Sequence, residues 1–204
     1  MQTLKLLHSN NCKINYSIGQ EIGFGGADGQ VFEISDHKDK VIKISVLYDN
    51  FDSCLEDRFK NIFKTLNVLK NVKPSEYARV YEYEYIGKYN RPFYDKVDGQ
   101  DYILYYYVME KLNKISEDEK KVFHSILSHE DRMAIKNFSI SKIKKMLNGL
   151  SLGLDFDKEK IILFYEALKN SNIKHLDLHP RNIMKDNFGN FKLIDFDRIK
   201  ILKD

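Results

Sequence analysis

The sequence is poor in cysteine, has no long apolar run and carries almost no excess charge, and each shortage removes a class of protein. Its 204 residues include two cysteines, Cys12 and Cys54, in neither a CxxC pair nor a His/Cys metal spacing. That excludes a structural zinc and points to a reducing compartment. The longest apolar stretch is far below a membrane span, and the N-terminal Met1-Gln-Thr-Leu-Lys5 lacks the apolar core of a signal peptide. No membrane span and a cytoplasmic location are therefore expected. With 33 basic residues against 30 acidic ones and a net charge of +3, the balance is too mild to imply nucleic acid. No internal repeat or low-complexity segment is evident. What is present is a composition 43% hydrophobic and 13% aromatic, enough to bury a core as one domain or two small lobes.

Chemistry concentrates near the C-terminus, in His175-Leu-Asp-Leu-His-Pro-Arg-Asn182 followed by Ile194-Asp-Phe-Asp197. Asp177, Asn182 and Asp195 are spaced by five and thirteen residues. A carboxylate and an amide oxygen can hold a hard divalent cation, while a second carboxylate accepts a proton from an attacking hydroxyl. This order resembles the catalytic loop and metal-binding strand of the protein-kinase-like superfamily. The resemblance implies ATP with Mg²⁺ (Mn²⁺ as a substitute), Asp177 as catalytic base, and Asn182 and Asp195 as metal ligands. His175 is read as structural, orienting the catalytic turn. His124 and His129 are read as surface helix residues.

The first half presents further parts in the order that the family uses. Gly23-Phe-Gly25-Gly26-Ala-Asp-Gly29-Gln-Val31 lies between strand-like stretches over 15–22 and 30–35. By itself it is a hairpin turn; in this place it resembles the glycine-rich loop over ATP, with one residue too many before the third glycine. Val41-Ile42-Lys43 resembles the strand whose lysine reaches the α- and β-phosphates. Apolar residues at spacings of three and four predict an amphipathic helix from about Ser53 to Lys70. Within it, Glu56 either pairs with Lys43, as the resemblance implies, or closes a capping box with Ser53. Tyr81–Tyr85 alternates aromatic and acidic residues as a half-buried strand does. Tyr102–Met109 is an apolar strand running into Glu110-Lys111-Leu112. The resemblance makes Met109 the gatekeeper and Glu110 to Leu112 a nucleotide-binding hinge. The cofactor-binding set is then Gly23, Gly25, Gly26, Gly29, Val31, Lys43, Glu56, Met109, Glu110, Leu112 and His179.

Beyond Leu112 the pattern turns helical. Ser116-Glu-Asp-Glu119 is a capping-box start for a helix to about Ser128, and helices are also predicted over 141–150 and 157–170. Asp186–Asn190 reads as a tight turn between strands 183–185 and 191–194, bringing Asn182 and Asp195 together. The implied fold is α+β and two-lobed, protein-kinase-like, with an antiparallel-sheet N-lobe over 1–112 and a reduced helical C-lobe over 113–204.

Departures from the family sharpen the reading. Asp197 replaces the glycine of D-F-G and restricts the backbone there. His179, within H-x-D-L-H-P-x-N, is more similar to aminoglycoside phosphotransferases and choline kinases. Seven residues follow Asp197, so an activation segment and the later helices are expected to be absent. The expected function is a minimal Ser/Thr protein kinase, self-phosphorylation included, of bacterial-effector or phage type, which places it in host cytoplasm in that case. The alternatives are a small-molecule hydroxyl kinase and a non-catalytic pseudokinase. A protein substrate or activating partner is expected, because Leu176, Leu178, Ile183 and Ile194 would form an exposed apolar patch. The alternative is that helices between Ser116 and Leu150 cover it.

Overall fold

The computed structural model describes residues 14–22, 29–49, 54–90, 101–129, 139–150 and 153–202. Cys12, Gly23, Gly25, Gly26 and Ser53 lie outside them. The chain is α+β and divides into two units, one of residues 1–71 and 79–111, the other of 72–78 and 112–204. The second unit takes in a short return segment, Val72–Ala78, besides the stretch from Leu112 onward.

The first unit is a five-stranded antiparallel sheet of β1 (Ile18–Glu21), β2 (Gly29–Ile34), β3 (His37–Tyr48), β4 (Val80–Asn90) and β5 (Asp101–Glu110), in the order β1-β2-β3-β5-β4. Helix α1 (Leu55–Val72) connects β3 to β4. Strands β3 and β5 are buried along most of their length because both faces of the sheet are covered. One face gathers Phe32, Ile42, Ile44, Leu104 and Val108, with Tyr16 and Ile18 packed on them. On the other, α1 brings Phe59 to 5.2 Å from Tyr85 and Phe63 to 5.1 Å from Tyr83, ring to ring.

The aromatic–acidic alternation of β4 is explained by this two-sided burial. Tyr83 and Tyr85 meet α1. Glu82 and Glu84 turn to the opposite face, where the Tyr106 hydroxyl donates to Glu84 at 2.5 Å and the Tyr16 hydroxyl donates to Glu82. Burial and then the Glu82 carboxylate push the Tyr16 hydroxyl up to about 12. Gly29 also has a structural cause: a Cβ there would lie 2.6 Å from the carbonyl oxygen of Ile44. Only glycine lets β2 approach β3 that closely.

The second unit contains β6 (Asn113–Lys114), α2 (Glu117–His129), α3 (Ile140–Leu150), α4 (Lys158–Asn170), β7 (Ile173–His175), β8 (Ile183–Lys185), β9 (Phe191–Leu193) and β10 (Ile199–Ile201). Strands β6, β8 and β9 form one antiparallel sheet, and β7 pairs with β10. The return segment joins β9: the Leu193 amide donates to the Glu76 carbonyl and the Ala78 amide to the Leu193 carbonyl, both at 2.8 Å. Phe123 of α2 centres the core, its ring 5.0 Å from that of Phe191 and 5.9 Å from that of Phe164.

The predicted box at the start of α2 forms. The Ser116 amide donates to Glu119 at 2.8 Å, and the Glu119 amide to the Ser116 hydroxyl at 3.1 Å. Glu119 is buried, and its carboxylate also takes Lys185, the last residue of β8, at 2.9 Å. In α4, Asp157 caps the first turn through the Lys160 amide. The exposed apolar patch expected beside the catalytic loop is not there. Leu178 and Ile183 are buried, Leu176 and Ile194 are half-buried, and α2 packs on the turn between them. The helix that begins at Ser116 covers this surface.

The double use of Glu119 sets an order of stabilities. Ser116→Ala should cost about 1 kcal/mol, the value of an N-cap. Glu119→Ala should cost about 2–4 kcal/mol, since it also leaves Lys185 without its counter-ion. Equal losses in chemical denaturation would show that the ion pair adds nothing.

Candidate active site

In the second unit, His175 organises the loop that carries the chemistry. It ends β7 fully buried. Its Nδ1 accepts from the Asp177 amide at 3.2 Å, so the ring proton resides on Nε2, which donates to the Ile194 carbonyl at 3.0 Å. Burial holds the imidazole below its usual pKa, against the opposing pull of the Ile194 carbonyl and of the Asp195 and Asp177 charges. One neutral ring thereby ties the backbone of Asp177 to the residue preceding Asp195.

Asn182 closes the same loop from the other side. Its Nδ2 donates to the Asp177 carbonyl at 3.0 Å, and its amide to the His179 carbonyl at 2.8 Å. Its own carbonyl accepts from the Ile194 amide at 2.9 Å. Between them, Pro180–Asn182 forms a single 3-10 turn capped by His179, whose Nδ1 accepts from the Arg181 amide at 3.1 Å. The β8–β9 hairpin completes the junction as expected. Asp186 accepts from the Phe188 and Asn190 amides, each at 2.9 Å, and Gly189 takes the left-handed φ of 77° that the turn requires.

Asp195 has φ 67° and ψ 79°, a left-handed conformation that, among the described non-glycine residues, has positive φ in common only with Lys73. Such a backbone costs about 1–3 kcal/mol and persists where the surroundings over-determine it, commonly at functional sites. Asp177, Asn182 and Asp195 are all half-buried.

This donor set suits one kind of metal. Because Asn182 Nδ2 is committed to the Asp177 carbonyl, its Oδ1 is the amide atom left for a cation. No group of three His, Cys, Asp or Glu able to hold a metal occurs among the described residues. A carboxylate and an amide oxygen are hard donors of the kind that Mg²⁺ accepts.

In the first unit, Lys43 lies on β3 directly between Val31 of β2 and Tyr107 of β5. It is buried, with Nζ 5.8 Å from the centre of the Tyr107 ring. Met109 is buried opposite Val41. The end of β5 is held tightly: the Glu110 amide donates to the Arg79 carbonyl at 3.0 Å, the Lys111 amide to the Asp39 carbonyl at 2.8 Å, and the Glu110 carboxylate accepts from the Arg79 amide at 2.7 Å. Two of the expected hinge amides are thus committed within the protein. Leu112, half-buried, begins the second unit just before β6.

Glu56 does not pair with Lys43. It lies exposed in the first turn of α1 and binds Lys88 of β4 at 2.6 Å, with the Cys54 thiol donating to it at 3.2 Å. Lys88 also binds Asp101 at 3.0 Å. The hydrogen bond from Lys88, then that from Cys54, draws the Glu56 carboxyl down to about 2. Helical spacing locates Glu56 on a turn but says nothing about which strand residue lies beside it; Lys88 and Asp101 carried no sequence signal. The same holds for the Arg79–Glu110 clamp and the Glu119–Lys185 pair.

Two solved structures of WbdD are similar to the chain. A 2.2 Å crystal structure matches 93% of this chain and 34% of its own length at 19% identity, with a TM-score of 0.45. The structure of monomeric WbdD matches 91% and 37% at 18% identity, with a TM-score of 0.41. The chain spans about a third of those proteins, and a likeness at this level carries no weight for function. No protein-family profile matches the sequence. No curated protein matches it either.

The tautomer of His175 can be measured. Because its pKa is depressed on folding, its contribution to stability is complete above an unfolded value of about 6.5 and is lost as pH falls from there toward the folded value. Long-range ¹⁵N–¹H NMR at pH 6.5 should show a neutral ring with the proton on Nε2. A charged ring, or an Nδ1 proton, at that pH would refute the hydrogen-bond assignment.

Proposed function

We propose that the chain is an ATP-dependent phosphotransferase of two-lobed, protein-kinase-like fold that transfers the γ-phosphoryl group to Ser/Thr hydroxyls of a protein, its own included. The observation that carries this reading is the loop in which Asn182 is bound to the backbone of Asp177 and of Ile194, the residue before Asp195, and His175 ties Asp177 to Ile194 as well. Phosphoryl transfer depends on positioning and charge neutralisation more than on covalent chemistry, and a loop so fully hydrogen-bonded supplies the positioning. Among the alternatives, a small-molecule hydroxyl acceptor is consistent with His179, and a cytoplasmic location remains the expectation.

Each residue has one task. Asp177 accepts the proton of the acceptor hydroxyl as its oxygen forms a bond to the γ-phosphorus. The bond from that phosphorus to the β,γ-bridging oxygen breaks, and ADP leaves with the electron pair. Asn182 Oδ1 and the Asp195 carboxylate would hold Mg²⁺, which when bound neutralises phosphate charge. Lys43, desolvated on β3, offers a cation to the α- and β-phosphates, and Val31 and Met109 offer apolar surface to the base. His179, in the loop itself, keeps the 3-10 turn in place, and so its part in cofactor binding is indirect.

A second reading is favoured by Glu56. Its carboxylate binds Lys88 and not Lys43, so Glu56 does not fill the role that the family resemblance implies, as would suit a protein that binds nucleotide without turning it over. Lys43, Asp177, Asn182 and Asp195 are nonetheless all present, which favours catalysis.

Two measurements separate these readings. ATP with Mg²⁺ should raise the melting temperature by mass action. Asp195→Asn tolerates the left-handed backbone but loses the charge, so it should fold like the parent and lose the Mg²⁺-dependent part of the rise. A rise unchanged by this substitution or by a chelator would sink the metal assignment. Asp177→Asn should lower phosphate transfer by about 10²–10⁴-fold, the usual range for a general base, while ATP binding is retained. Transfer equal to the parent's would remove Asp177 as the base. No transfer by the parent itself, with ATP–Mg²⁺ bound, would favour the non-catalytic reading.

A further inference from the structure

Much of the backbone of the candidate loop is hydrogen-bonded within the protein. The backbone amides of Leu176, Asp177, Arg181 and Asn182 donate to the Arg198 carbonyl, His175 Nδ1, His179 Nδ1 and the His179 carbonyl. The side chains of His175, His179 and Asn182 are spent on these or neighbouring contacts. The Arg181 guanidinium is exposed and has no hydrogen bond or ion pair among the described residues. It stands four residues after Asp177 on a turn whose backbone is fixed by Pro180, buried, and by the His179 cap. The loop thus delivers a guanidinium on a rigid base.

A second cation brackets the loop. Lys174 lies on β7, three residues before Asp177, half-buried and likewise without an ion pair among the described residues. Neither β7 (Ile-Lys-His) nor its partner β10 (Ile-Lys-Ile) carries an acidic residue. The nearby carboxylates of Asp177 and Asp195 have other tasks in the reading above. Arginine matches a carboxylate in a planar, two-point pairing that lysine cannot make. Basic peptides would meet like charge at Arg181, and such repulsion excludes wrong partners.

We propose that Arg181 is a specificity-determining residue that selects peptide acceptors with acidic side chains next to the Ser/Thr hydroxyl. This rests on the phosphotransferase reading and names the substrate class of that site. Arg181 acts by holding the peptide's carboxylate, so that the neighbouring hydroxyl is presented to Asp177; it takes no part in proton transfer.

The test uses the full chain, ATP–Mg²⁺ and two synthetic serine peptides that differ only in having aspartates or lysines flanking the serine. The parent should favour the acidic peptide by at least about tenfold in kcat/KM, the equivalent of about 1.4 kcal/mol, and the margin should shrink as salt rises. Arg181→Glu should remove or invert that preference, mainly through KM for the acidic peptide, whereas Arg181→Lys should keep part of it. The ATP–Mg²⁺ melting shift of each variant shows whether its fold and nucleotide site are intact. Equal use of both peptides by the parent, or an unmoved preference in a folded Arg181→Glu variant, overturns the proposal. Transfer to neither peptide, with the melting shift preserved in the parent, also overturns it. Absence of the melting shift in the parent overturns instead the phosphotransferase reading on which it rests.

Discussion

A single buried imidazole holds the candidate site together. His175 has no exposure to solvent, so each ring nitrogen must find a partner inside the protein. Nδ1 takes the Asp177 amide and Nε2 gives its proton to the Ile194 carbonyl. With both nitrogens used, the ring cannot accept a second proton without breaking one of these bonds. It therefore acts as an uncharged spacer of fixed length between two strand ends. The strained backbone of Asp195, the amide orientation of Asn182 and the covered position of Leu178 all follow from a loop that this ring keeps closed.

Burying so much polarity requires that charge be placed with care. Glu119 and Lys185 are brought together only because the helix start that Glu119 caps lies beside the end of β8. In the first unit, half-buried Glu82 and exposed Glu84 are met by tyrosine hydroxyls rather than by cations. Hydroxyl donors leave net negative charge in place, and the raised Tyr16 shows its effect. By contrast, Glu56, Lys88 and Asp101 meet in the open, where solvent screens ion pairs and leaves them little weight in stability. That group records proximity more than stability.

Legibility in the sequence followed the range of the interactions. The candidate loop stood out because phosphoryl transfer demands particular residue types at short separations, and the β8–β9 turn was readable because Asp186 and Gly189 meet local backbone requirements. Ser116–Glu119 was readable as a capping box for the same reason. The Glu56 carboxylate goes to Lys88, 32 residues away in sequence, which no local pattern encodes. Gly29 was read as room for phosphate, but the close neighbour that excludes a side chain is the Ile44 carbonyl across the strand pair. The patch around Leu178 was read as bare because hydrophobic residues in a sequence do not announce what covers them; α2 does.

The return segment Val72–Ala78 has a consequence for how the gene could be divided. It leaves the first unit after α1, lends two hydrogen bonds and a parallel bridge to β9, and goes back at Arg79. The polypeptide therefore crosses between the units three times, and neither unit is a continuous stretch of sequence. Expressing residues 1–112 alone would strand Tyr77, buried in the native chain with its hydroxyl on the Ile173 carbonyl at 3.2 Å. Expressing 113–204 alone would leave the outer edge of β9 bare. A split-protein sensor or a domain-exchange chimera would need the 72–78 segment grafted onto the second fragment, as a circular permutant could supply it.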